Sequence, residues 1–165
     1  MDHDAWNGKA ADSQAAQDQS EQDSAESSST CVLLVEDEAL IAEIIGESLE
    51  EHGFCVHCVA DAAEALAYLS TGPRIDILFT DINLPGDLDG VSLAEQVRGM
   101  LPDLPVIYAS GRWGLLEGLR KRPLSMILQK PYSPARACAA IEMMMSKRTA
   151  APEGEHARQT VLAAS

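Results

Sequence analysis

Cys31-Val32-Leu33-Leu34-Val35-Glu36-Asp37-Glu38-Ala39-Leu40-Ile41-Ala42-Glu43-Ile44-Ile45-Gly46-Glu47-Ser48-Leu49 holds the fold in miniature. The first five residues are apolar without polar alternation, which predicts a strand buried on both faces. After three acids, Leu40, Ile41, Ile44, Ile45 and Leu49 recur at helical spacing and predict a helix with one apolar stripe. Gly53 ends it, because glycine enters the left-handed helix-ending conformation without strain.

The same pair of patterns repeats to the C-terminal side. Further strands are predicted at residues 54–59, 75–80, 106–109 and 125–128. The second helix starts at the cap Asp61, with Glu64 three residues on, and ends before Gly72-Pro73. The third runs from about Val91 to Leu101, before Pro102, and the last opens on Ser133-Pro134, a cap followed by proline at the first helical position. The fourth, between Arg112 and Arg122, contains Gly114 and Gly118 and is predicted to be short and loose. Five strand-helix pairs in strict alternation predict a doubly wound α/β domain with a five-stranded parallel sheet, because right-handed crossovers lay helices over both faces.

Composition bounds the rest. Residues 1–30 carry seven acids against Lys9 and little apolar surface, which predicts a disordered acidic tail. Residues 31–146 form the expected folded unit, and residues 147–165 a flexible tail. A formal charge of −14 argues against direct DNA binding, since an acidic surface repels the phosphate backbone. No run reaches the roughly 20 apolar residues of a membrane span, and the start has no export-signal pattern, so the expected location is the cytoplasm. Cys31, Cys55, Cys58 and Cys138 are then expected as reduced core thiols. Cys55-Val56-His57-Cys58 spells CxxC, a spacing used for zinc or redox chemistry, but no second ligand pair follows and strand alternation puts the two cysteines on opposite faces.

Ligands of such sheets bind beyond the carboxyl ends of the strands. There the sequence places Glu36-Asp37-Glu38, Asp81, Ser110 and Lys130-Pro131. Carboxylates about 5 Å apart repel by roughly 3 kcal/mol per pair at an effective dielectric near 20, which calls for a cation. An oxygen-only set suits Mg²⁺. Asp81 can also act as a nucleophile toward phosphorus, with Lys130 neutralising the transferring group and Ser110 donating a hydrogen bond to it. Each feature has a plainer reading: acids after a strand cap the next helix, a lone lysine is solvated, and Ser-Gly is a turn. Their joint occurrence at the matching strand ends favours the chemical reading.

Val32-Leu33-Leu34-Val35-Glu36-Asp37-Glu38, Asp81-Ile82-Asn83-Leu84-Pro85, Asp89-Gly90, Ala109-Ser110-Gly111 and Lys130-Pro131 together resemble the receiver domain of two-component response regulators, over the whole folded unit. The resemblance implies the flavodoxin-like receiver fold with strand order 2-1-3-4-5. It also implies that Asp81 is the phospho-acceptor, with a histidine kinase or phosphotransfer protein as donor. Mg²⁺ would sit on Asp37, Asp81 and the backbone carbonyl of Asn83, with Glu36 acting through water. Lys130 and Ser110 would bind phosphoryl oxygens, Asn83 and Arg112 would flank the hydrolytic water, and Lys130-Pro131 would be cis. It implies a switch rather than an enzyme, read by a downstream protein partner, with room for a phosphorylation-dependent homodimer. With few residues after the last helix, no output domain is expected.

Three departures stand out. Ile127 occupies the position where the family usually has an aromatic switch residue, with Tyr108, Trp113 and Tyr132 read near the same face as substitutes. The loop Leu84-Pro85-Gly86-Asp87-Leu88-Asp89-Gly90 is slightly longer than the common form. Tyr108-Ala109-Ser110-Gly111 with Gln129-Lys130-Pro131-Tyr132 is similar to a stand-alone subgroup with a Phe-Ala-Thr-Gly signature, associated with stress signalling in alphaproteobacteria. Rival readings fit less well. A magnesium phosphohydrolase usually carries a second acid where Asn83 stands, and a flavin-binding module needs donors where the first strand-helix turn is acidic. A receiver working without phosphate would not need all of these groups.

Overall fold

The computed structural model describes residues 29–111 and 117–150. Its strands are β1 (Cys31–Val35), β2 (Cys55–Val59), β3 (Ile77–Asp81), β4 (Val106–Ser110) and β5 (Ser125–Gln129). Its helices are α1 (Ala39–Glu51), α2 (Ala62–Ser70), α3 (Gly90–Met100), α4 (Glu117–Arg120) and α5 (Pro134–Ala150). The five strands form one sheet in the order β2-β1-β3-β4-β5, every neighbouring pair parallel. The doubly wound α/β fold and its strand order are as expected.

The two faces of the sheet carry two separate cores. Val32, Leu34, Ile77, Phe79 and Ile107 pack against Ile45 and Leu49 of α1 and Ala137, Ile141 and Met144 of α5. Leu33, Val35, Leu78, Val106 and Tyr108 pack against Ala65 of α2, Leu93, Ala94 and Val97 of α3 and Leu119 of α4. Alternate residues of β1, β3 and β4 thus feed opposite cores, which is why these strands read as unbroken apolar runs.

Helix boundaries follow local chemistry. Gly53, at φ +88°, closes α1: its N–H donates to Glu50 O and the Phe54 N–H to Leu49 O, the paired bonds of a Schellman ending. Asp61 caps α2 by accepting from the Glu64 N–H at 2.8 Å, while the Glu64 carboxylate accepts from the Ala60 N–H. Asp89 caps α3 through the Ser92 N–H at 2.7 Å, so that helix begins at Gly90, one residue before the expected start.

Several expectations shift. The α1 stripe is only partly used: Ile45 and Leu49 are buried, but Leu40 is 68% and Ile44 49% exposed. Leu40 and Ile44 form one i, i+4 row, turned by one residue from the row of Ile41, Ile45 and Leu49 that meets the core, so the outer row stays at the surface. Helix α5 runs four residues past Ser146, because Arg148 reaches back to the carbonyl of Asp76 at 3.0 Å. Residues 1–28 and 151–165, which hold most of both predicted tails, together with Arg112 and Trp113, lie outside the described residues.

Asp76, just before β3, is 6% exposed and ties the lower end of the sheet. Its carboxylate accepts from the Cys31 N–H at 2.9 Å and pairs with Arg74 at 3.1 Å. Asp76→Ala should lower stability by about 2 kcal/mol, because a strand N–H loses its acceptor. Urea unfolding checks this through a lower midpoint at unchanged slope.

Candidate functional site

Strand order reverses between β1 and β3, and the polar groups gather at their carboxyl ends. Asp81 is the last residue of β3 and 6% exposed; Glu36 follows β1 directly and is 3% exposed. Asp37, next in the chain, is exposed. One carboxylate oxygen from each of Glu36, Asp37 and Asp81 falls within 4.8 Å of the others.

Lys130, one residue past β5, reaches across the top of the sheet. Its Nζ donates to Asp81 Oδ2 at 2.5 Å and to Glu36 Oε2 at 3.0 Å. The remaining oxygens are also held: Asp81 Oδ1 accepts the Asn83 N–H at 3.0 Å and Glu36 Oε1 the Glu38 N–H at 3.3 Å. Burial raises the Glu36 carboxyl above its ordinary range, against the pull of Lys130. Burial works to lower the Lys130 ammonium, but its hydrogen bonds to Asp81 and Glu36 outweigh that and hold it above the usual lysine value. The capping explanation for the first acids is not what the structure shows, since Glu38 occupies the N-cap of α1 without any side-chain cap bond.

Ser110 ends β4 beside Asp81, since Ala109 is the register partner of Asp81; it is 4% exposed and its carbonyl accepts the Lys130 N–H at 2.8 Å. The Lys130-Pro131 bond is cis. Glu36, Asp37, Asp81, Asn83, Ser110 and Lys130 are therefore assembled in one place. Arg112 lies outside the described residues.

The suggested aromatic substitutes divide. Tyr108 is fully buried on the α3 and α4 side, next to its register partner Ile127. Among the described residues its hydroxyl has no hydrogen-bond partner. Tyr132 packs on the opposite side, its ring 5.7 Å from that of Phe79, and burial pushes its hydroxyl up to about 12. The two tyrosines do not share a face. Tyr108 follows the alternation of β4, whereas Tyr132 sits beyond β5, in a connection where alternation no longer fixes direction.

Two site residues carry roles that sequence reasoning missed. The Thr80 hydroxyl donates to the backbone carbonyl of Asp81 at 2.8 Å. Gly90, the first residue of α3, lies so close that a Cβ there would overlap that carbonyl oxygen. Glycine at the first helical position, behind an aspartate cap, was the available signal for a close approach. Gly90→Ala should cost about 3 kcal/mol, the upper end for overpacking, because the obstacle is backbone that cannot rotate away. Denaturant unfolding measures it, and a loss below about 1 kcal/mol would mean that α3 slides freely along the end of β3.

Comparison with known proteins agrees with this geometry. The family described as "Response regulator receiver domain" matches residues 32–142. The C4-dicarboxylate transport transcriptional regulatory protein DctD of Rhizobium meliloti is 30% identical over 142 residues, 84% of this chain and 30% of that protein. The transcriptional regulatory protein PrrA of Mycobacterium leprae is 34% identical over 126 residues, 74% of this chain and 53% of that protein. The chain thus spans only a third to a half of these two curated relatives. Among solved structures, a response regulator receiver protein from Sinorhizobium medicae superimposes with a TM-score of 0.67 at 31% identity, over 73% of this chain and 98% of the other. Sheet order, acidic cluster, bridging lysine and family match converge: the chain belongs to the response regulator receiver domain family of two-component systems.

Proposed function

We propose that this receiver is a phospho-acceptor switch in which Asp81 takes a phosphoryl group from a histidine kinase or phosphotransfer protein. The observation that carries this reading is the Lys130 ammonium bridging Asp81 and Glu36 inside a cluster of three carboxylates. One ammonium leaves such a cluster short of positive charge, and its donors are all hard oxygens, so the residues fit Mg²⁺. Asp37, Asp81, the backbone carbonyl of Asn83 and, through water, Glu36 would hold the ion, which supplies neutralisation of the transferring group when bound.

In the transfer an Asp81 carboxylate oxygen attacks phosphorus while the bond to the donor nitrogen breaks. Negative charge then moves from the carboxylate to the phosphoryl oxygens, and the Lys130 ammonium follows it there. Ser110 donates a hydrogen bond to another of those oxygens. Asn83 flanks the water that later hydrolyses the acyl phosphate. The added charge draws on Ser110 and on the neighbouring Ile127 and Tyr108, so the α3 and α4 face is where two packings compete.

The donor protein is assigned to the groove beside Lys130, about 430 Å³, lined by Ile41, Ile44, Ile45, Pro131, Tyr132 and Pro134. Exposed Ile44 gives it an apolar anchor on α1. The phosphorylated state is then read by another protein, a second copy of this chain included. Among the described residues no helix is long and apolar enough to cross a membrane.

The test is intact mass after incubation with magnesium and acetyl phosphate. One phosphoryl adduct, dependent on Mg²⁺ and mapped to Asp81, is the expected result. An unmodified protein whose amide spectrum also ignores beryllofluoride would overturn the reading in favour of a receiver that signals without phosphate.

A further inference from the structure

The cysteines of Cys55-Val56-His57-Cys58 do lie on opposite faces of β2, but the sheet gives Cys55 a different neighbour. β1 and β2 are parallel, with Cys31 in register with Cys55. In-register residues of adjacent parallel strands project from the same face of the sheet, here the face on which Leu33 and Val35 follow Cys31 and on which His57 stacks on Tyr68 of α2. Neighbouring strands about 4.7–4.9 Å apart fall inside the roughly 4.4–6.8 Å Cα separation that a disulfide spans.

The remaining thiols are directed elsewhere. Cys58 points to α1, its Sγ 4.0 Å from Ala42 O, and Cys138 is buried in the core under α5. Cys55 is exposed on the edge strand and Cys31 partly so, which leaves the pair open to a small reagent.

We propose that Cys31 and Cys55 form a cross-strand dithiol that a peroxide-class oxidant converts into an intramolecular disulfide, a modification site separate from Asp81. The Cys55 thiolate attacks one peroxide oxygen; the O–O bond breaks, leaving a sulfenic acid on Cys55 and releasing an alcohol, or water from hydrogen peroxide. The Cys31 thiolate then attacks that sulfur. The S–S bond forms as the S–O bond breaks, and hydroxide leaves as water with the proton lost by Cys31. Two thiols give up two electrons and two protons, and the peroxide is reduced by the same two electrons. The bond would staple edge strand β2 to β1 at the end of the sheet opposite the acidic cluster, closing the loop that holds α1.

The experiment treats the full chain with hydrogen peroxide, removes it, and alkylates in denaturant before mass spectrometry. Two of the four cysteines should escape alkylation in monomeric protein, with one cross-linked peptide joining Cys31 to Cys55, and dithiothreitol should restore all four. Cys55→Ser and Cys31→Ser should each abolish the cross-link, while Cys58→Ser and Cys138→Ser keep it. The oxidised wild type should also unfold at a higher urea concentration than the reduced protein, a difference lost in Cys55→Ser. A cross-link to Cys58 or Cys138, a disulfide between two chains, or sulfinic acid on Cys55 without any cross-link would overturn the proposal.

Discussion

Asp81→Asn is expected to take up no phosphoryl group from acetyl phosphate while remaining about as stable as the wild type. The amide offers no anionic oxygen to phosphorus, so acceptor chemistry stops altogether. Stability is the informative half. Removing the charge of Asp81 loses its attraction to Lys130, which keeps Glu36 at 3.0 Å, but it also removes repulsion from both Glu36 and Asp37. Each repulsion is worth roughly 3 kcal/mol at 5 Å and an effective dielectric near 20, and the attraction, at 2.5 Å, about twice as much, so what is lost and what is relieved nearly cancel. Intact mass read beside urea unfolding separates lost chemistry from lost fold. A variant phosphorylated at the wild-type rate would place the acceptor elsewhere.

Lys130→Ala should fail differently. Its ammonium is the one cation bonded to Asp81 and Glu36 among the described residues, with its side chain 22% exposed and those of Glu36 and Asp81 2% and 7% exposed. Removing it leaves two buried acids without a counter-charge, and breaking a buried pair in this way costs about 3 kcal/mol. The phosphorylation rate should fall about 10²–10³-fold, the effect of deleting one preorganised donor to developing charge. Magnesium should return part of the stability and little of the rate, because a cation in the cluster offsets the carboxylates but does not replace a donor to the phosphoryl oxygens. Unfolding with and without magnesium, alongside adduct formation over time, checks both. Equal stability in magnesium-free buffer would mean that Lys130 is no more than a surface lysine.

Much of this site could be read from the chain because each residue stands at a place that local pattern defines. Asp81 and Ser110 end apolar runs, Glu36 follows one, and Lys130 comes two residues after Leu128, the last apolar residue of β5. Once the runs are recognised as parallel strands, their carboxyl ends must meet. The breadth of apolar surface on α1 was legible too, but not its fate. Periodicity reports that Leu40 and Ile44 lie on the stripe, whereas their exposure depends on which row of the helix meets the core.

Sequence by itself therefore determined the α/β alternation, the two-faced burial of β1, β3 and β4, the caps at Asp61 and Gly53, and the identity of the polar groups at the strand ends. These depend on interactions within a few residues, or on a topology with one permitted hand. Tertiary structure alone decided that Gly90 abuts the carbonyl of Asp81, that Asp76 secures both Cys31 and the end of α5, that Tyr108 and Tyr132 face opposite cores, and that Cys31 lies beside Cys55 rather than Cys55 beside Cys58. The physical reason is common to all four: each depends on register and approach between segments distant in the chain, and that alignment is set by how whole faces pack, which no local spacing encodes.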